Sequence, residues 1–200
     1  SFVPINVVPQ DVEIFCSSLY YVSNDTFIGD MGSIQTPLNI LISDSSAKYL
    51  HEFGQKAVQN FKLNSKSVRI FIGRNGKRNL SNYTGSLNFF KKMGFIEVFP
   101  HLLPYQEKIE LFANAEYVVG PLSSGFTNII YCRNLKGVMM LVNASRHTDM
   151  FLAKLANSMS VPAYFVLGKE VVSGDADSDY TINMNDVAAC LKHFPDLEKS

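Results

Sequence analysis

The sequence carries no excess charge of either sign, because eighteen basic residues balance eighteen acidic ones. That removes any general electrostatic case for binding nucleic acid or an anionic membrane surface. Cysteine is scarce: Cys16, Cys132 and Cys190 lie far apart with no CxxC pair, so neither a disulfide framework nor a zinc site is suggested. No apolar run is long enough to span a bilayer, and the first residues lack the basic start, apolar stretch and small-residue cleavage site of a signal peptide. Position 1 is not Met, which reads as a fragment or a processed piece. Two nucleotide signatures are missing as well, the Gly-rich loop ending in Lys-Ser/Thr and the three spaced glycines of a dinucleotide site. A nucleophile elbow at Ser123-Ser124-Gly125 also fails. It needs Gly two residues before the Ser, where Pro121 and Leu122 stand instead.

What is present suits one domain, since a chain of 200 residues buries roughly 70% of its unfolded surface without a staple. Residues 1–35, with Pro4, Pro9, Gly29 and Gly32 among short apolar pieces, read as a linker or the edge of a missing amino-terminal domain. Residues 36–200 form the domain proper. A strand or extended lead-in at 38–42 precedes a helix over 47–61, capped by Asp44-Ser45-Ser46 and burying Leu50, Phe53, Ala57, Val58 and Phe61. Strands are expected at 68–72, 95–99, 117–119, 138–142 and 163–167. Between them the spacing predicts helices around Leu87, Phe90 and Met93, ended by Gly94, from Pro104 to Ala113, over 126–132, and over 148–159. Asn183 caps a last helix whose shared face is Met184, Val187, Ala188, Leu191 and Phe194. Strands alternating with helices imply an α/β fold: a Rossmann-like, mostly parallel sheet with helices on both faces.

In such a sheet ligands bind beyond the carboxyl ends of the strands. Two loops follow strands and should open on that one edge. The first, Gly73-Arg74-Asn75-Gly76-Lys77-Arg78, holds three cations. The second, within Val118-Val119-Gly120-Pro121-Leu122-Ser123-Ser124-Gly125-Phe126-Thr127-Asn128, reads as strand, tight turn and helix start, where unpaired amides and the helix dipole favour an anion. Guanidinium forks, amides and hydroxyls together suit a diphosphate. Each loop alone also reads as an idle turn or a solvated surface. Asp175, Asp177 and Asp179 imitate the start of a calcium loop, but Tyr180 stands where that loop needs Gly, so a solvated acidic loop is the preferred reading. His101 and His147 follow strands and are lone candidates for proton transfer, whereas His51 and His193 lie on a helix and near the chain end. Sequons at Asn24, Asn79, Asn82 and Asn143 would be surface positions in a secretory protein.

Taken in order, residues 68–78, the helix Tyr105-Gln106-Glu107-Lys108-Ile109-Glu110-Leu111-Phe112-Ala113-Asn114-Ala115-Glu116 and the loop ending at Asn128 resemble the glycosyltransferase family 61 domain. That family includes bacterial capsular polysaccharide enzymes, plant xylan xylosyl- and arabinosyltransferases and animal N-acetylglucosaminyltransferases. Its pattern is a strand ending in Ser-Arg with further basic residues, a helix carrying Glu-Gln, and Gly-Pro-His-Gly-Ala-Gly-Leu-Thr-Asn. The resemblance runs over about 68–194. It departs from the pattern at Lys108 for Gln, Leu122 for His, Ser123 for Gly, and Met139-Met140 where Glu often stands.

The resemblance implies the carboxy-terminal, donor-binding half of a GT-B fold, in which two Rossmann-like domains face each other across a cleft. Residues 36–200 would then be a nucleotide-sugar-binding domain. Arg74 would bind the diphosphate with Lys77 or Arg78 assisting, Glu107 matches the family's Glu, and Gly120, Ser123, Ser124, Gly125, Thr127 and Asn128 would approach the nucleotide. The implied activity is metal-independent, inverting transfer from a nucleotide diphosphate sugar to a saccharide acceptor in polysaccharide biosynthesis. No cofactor is implied, and the base would come from the other half. The alternative is a non-catalytic nucleotide- or glycan-binding domain. Partners are the nucleotide-sugar donor and the saccharide acceptor, with no nucleic acid and no integral membrane segment in this chain. The expected location is the bacterial cytoplasm, with membrane association through a partner, and the secretory lumen is the alternative.

Overall fold

A computed structural model describes residues 44–59, 61, 67–146, 151–195 and 197. The expectations for 1–35 and 38–42, for Cys16, Asn24 and His147, and for the start of the 148–159 helix lie outside the described residues.

Eleven regular elements build the described part. In chain order they are α1 (Asp44–Val58), β1 (Val68–Ile72), α2 (Tyr83–Lys92), β2 (Phe95–Val98), α3 (Tyr105–Ala113), β3 (Ala115–Pro121), β4 (Gly137–Asn143), α4 (Phe151–Ser158), β5 (Ala163–Glu170), β6 (Tyr180–Thr181) and α5 (Met184–Leu191). Short 3-10 helices occupy Pro100–Leu102, Ser124–Tyr131 and Ala144–Arg146. The strands form one sheet in the order β2-β1-β3-β4-β5-β6, with the first five parallel and β6 antiparallel to β5. One register row runs Ile96, Ile70, Val118, Val138, Ala163 across it.

The apolar strands follow from burial on both faces, since neither side of a central parallel strand meets water. Every residue of β4 is buried. Ile70, Ile72, Val118, Val138 and Met140 join a core with Ala47 of α1, Phe112 of α3, Leu155 of α4 and Ile129 of the 3-10 helix. Phe71, Tyr117, Val119, Met139 and Leu141 face the other way, onto Phe90 of α2 and Val187, Leu191 and Phe194 in and after α5. The expected α/β arrangement, a mostly parallel sheet covered on both faces, is thus what the chain forms.

Four local expectations need correction. Helix α1 begins at Asp44, so Asp44-Ser45-Ser46 lies inside its first turn, where the Asp44 carboxylate meets the positive helix end. Its buried positions are Ala47, Gly54 and Val58, while Phe53 is 46% exposed. The cause is close packing: a Cβ on Gly54 would lie 2.3 Å from the Ile130 carbonyl oxygen, so the helix rests on its glycine and rotates Phe53 outward. Strand β3 continues through Gly120 and Pro121 before the turn, held in register by Met140 and Leu141. The segment expected as a helix over 126–132 is a 3-10 helix that starts earlier, at Ser124. Finally, β6 had no counterpart in the sequence reading.

Candidate functional site

Because β1, β2 and β3 are parallel, the segments after them emerge on one edge of the sheet. Together with the start of α4 they enclose a cleft of about 800 Å³. Two close approaches hold the strand ends beside it together. The Gly73 amide donates to the Val98 carbonyl at 2.7 Å, which prolongs the β1–β2 pairing into the basic loop. Gly120, at φ +144°, passes so near β1 that a Cβ there would lie 2.4 Å from the Ile72 oxygen.

Arg74 ties the two loops together. Its Nε donates to the Lys77 carbonyl at 2.9 Å, and its Nη1 donates to the Leu122 carbonyl in the turn after β3. Arg78 takes a left-handed backbone conformation, φ +62°, and its Nε lies 3.8 Å from Asp177 Oδ1. That nitrogen is buried and makes no hydrogen bond among the described residues. The loop owes its shape to β6. The Tyr180 amide donates to the Asn79 carbonyl and the Ser81 amide to the Tyr180 carbonyl, while Asp179 Oδ1 accepts from the Asn79 amide at 2.7 Å. The acidic loop is therefore exposed at its aspartates and also a brace for the basic one. Tyr180 is buried, and its hydroxyl donates to the Leu141 carbonyl at 2.7 Å. Burial raises the pKa of that phenol, with Arg74 and Arg78 pulling it the other way.

The turn after β3 supplies the polar side of the cleft. The Leu122 amide is taken by the Leu141 carbonyl, and the first 3-10 bond closes from the Phe126 amide to the Ser123 carbonyl at 3.1 Å. The amides of Ser124 and Gly125, ahead of that bond, have no acceptor within the helix. Ser123 Oγ is buried without a hydrogen-bond partner among the described residues. Thr127 and Asn128 donate locally, Oγ1 to the Ser124 carbonyl and Nδ2 to the Gly125 carbonyl, each at 2.8 Å.

Of the residues singled out by sequence, Arg74, Arg78, Ser123, Ser124, Gly125, Thr127 and Asn128 line the cleft together, as does His101. Lys77 and Glu107 are exposed outside its lining, and Gly120 is buried within β3. Sequence reasoning missed Lys108, Asn75 and the Phe151-Leu152 wall. Lys108 precedes the buried Ile109 by one residue and Phe112 by four, which places it on the border of the inward face of α3. That spacing was the available signal. The lining contains Arg74, Arg78 and Lys108 but no aspartate or glutamate. Among the described residues no three His, Cys, Asp or Glu side chains gather as metal ligands. A chain with no net charge thus brings three cations to the lining of one cleft, with Asp177 beside Arg78.

The family model for glycosyltransferase 61 matches residues 2–139. The matched span takes in the basic loop, α3 and the turn after β3. It starts ahead of residue 68, where the sequence resemblance begins, and stops in β4, short of residue 194. No curated protein matches the chain.

Proposed function

The chain belongs to the glycosyltransferase 61 family, and from that premise we propose that it transfers a sugar from a nucleotide diphosphate sugar to a saccharide acceptor. Family membership itself points to sugar transfer between a donor and an acceptor. The cleft is the reason for assigning the donor to this chain. The observation that carries the reading is Arg74 bridging the basic loop and the Leu122 turn, with Arg78 and the Ser124 and Gly125 amides beside it.

As the glycosidic bond breaks, negative charge grows on the leaving diphosphate. Fixed guanidinium groups, amides and the Ser123 hydroxyl stabilise it without reorganising. Arg74 and Arg78 supply charge of the kind that a divalent metal provides elsewhere, which supports a metal-independent reaction. The proposed architecture is the donor half of a GT-B enzyme. The acceptor hydroxyl attacks from the opposing half with inversion, and its proton is removed there. Polysaccharide synthesis in the bacterial cytoplasm is the proposed setting. Two of the sequons do not argue for the secretory lumen. Asn143 Nδ2 donates to the Asp175 and Ser178 carbonyls, and Asn82 Nδ2 donates to the Ile182 carbonyl, so both amides are committed inside the fold. Among the described residues no helix is long and apolar enough to cross a membrane.

A second reading, a nucleotide-binding domain without activity, is favoured by one observation. Leu122, which stands at the place of His in the resemblance drawn from sequence, packs against the core with no proton-carrying group. Titration with UDP, GDP and CMP, repeated on Arg74→Ala and Arg74→Lys, tests the donor site. Loss of a charge-assisted hydrogen bond is worth about 1.5–3 kcal/mol, so at least one nucleotide should bind and weaken roughly tenfold or more in Arg74→Ala. Lys should restore only part, because it lacks the fork. No binding to any nucleotide would overturn the donor reading. Transfer or hydrolysis of a bound nucleotide sugar separates the enzyme from the silent binder.

A further inference from the structure

Lys108 sits where a cation is poorly placed for the protein alone. Helix α3 starts at Tyr105, and the Lys108 amide makes its first intrahelical bond, to the Pro104 carbonyl at 3.0 Å. Positive charge near a helix amino terminus opposes the helix dipole, and the acidic residue that suits this turn, Glu107, points outside the cleft lining. Lys108 is half-buried, and among the described residues no carboxylate forms an ion pair with it. The cleft wall it joins also carries Arg74 and Arg78, the latter with Asp177 beside it, and no aspartate or glutamate lines the cleft itself. The helix dipole and the two cations that share the cleft both favour an anion beside this ammonium.

We propose that Lys108 is a third cationic ligand of the diphosphate, approaching from α3 while Arg74 and Arg78 approach from the loop after β1. The inference rests on the donor reading above and adds a residue to it. A lysine ammonium acts as a compact point charge, so it strengthens binding to pyrophosphate without needing fork geometry.

The test is calorimetric titration of the full chain with inorganic pyrophosphate and with UDP, using Lys108→Met, Lys108→Gln and Lys108→Arg beside Arg74→Ala. Circular dichroism melts check that each variant folds. Lys108→Met and Lys108→Gln should weaken both ligands about tenfold at low salt, with the difference shrinking as salt is raised, while Lys108→Arg stays within about twofold of the parent. If the parent binds and Arg74→Ala weakens it while Lys108→Met and Lys108→Gln leave affinity unchanged, the Lys108 assignment is overturned and the donor site stands. If the parent binds neither ligand, both are overturned. Should Met and Gln fail to fold, Lys108→Arg decides by itself, since an affinity loss well beyond twofold contradicts a point-charge role.

Discussion

Gly120 and Gly94 share a positive φ but not their surroundings. Gly94, at +82°, ends α2 with open space around its Cα, so Gly94→Ala meets only the backbone penalty of about 1 kcal/mol. Gly120, at +144°, faces the Ile72 backbone, and a Cβ cannot be relieved by moving a flexible side chain. Gly120→Ala should destabilise by about 3 kcal/mol or more and separate the two loops that Arg74 bridges. Urea denaturation of the two variants checks the contrast, and equal losses would refute it. Sequence placed Gly120 in the anion-binding turn because Gly, Ser and Thr clusters usually mark such turns. Its neighbour across β1 could not be read from the chain. The same limit applies to α3. A shift of one residue on a helix turns the side chain by about 100°, and that is the difference between exposed Glu107 and cleft-lining Lys108.

Among the elements, the segment from β5 to β6 does most to position the site, although little in its composition announces it. Asn143, 2% exposed at the end of β4, donates to the Asp175 and Ser178 carbonyls and accepts from the Ser145 amide at 2.8 Å. Asn143→Ala takes this partner from the Ser178 carbonyl and the Ser145 amide, while the Asp175 carbonyl keeps the Ser178 amide, and should cost about 2–3 kcal/mol. Asn183→Ala removes only the cap that accepts from the Asn185 amide at 3.0 Å and should cost about 1 kcal/mol. Thermal melts of the pair measure this. Asn143→Ala being no worse than Asn183→Ala would show that the loop is held by other contacts. The cap was legible in sequence because it is a local bond two residues long. β6 was not, since its two residues pair with partners chosen by the folded chain.

For the molecule as a whole, two cores on opposite sides of one sheet carry stability, and titration of residues that cover them should report on it. His51 lies half-buried on α1, its Nδ1 without a partner among the described residues. Burial holds its imidazole below the ordinary value of 6.5, while Glu52 pulls upward. The unfolded chain therefore binds this proton more tightly. The contribution is complete above 6.5 and is lost as pH falls below it toward the lowered value. His51→Gln should flatten the decline in stability between about pH 7 and pH 5. Parallel slopes in denaturant midpoints for parent and variant would assign the decline to other groups. The alternation of strands and helices, the cover on both faces and the pair of loops at one edge were determined by sequence alone. They follow from apolar periodicity, which is local, and from the rule that parallel strands end together. Tertiary structure decided which side chains meet in the cleft. Arg74 reaches a carbonyl after β3, the Asn79 amide bonds Asp179 a hundred residues on, and Arg78 lies beside Asp177, so the placement of each cation depends on contacts that exist only once the sheet has formed.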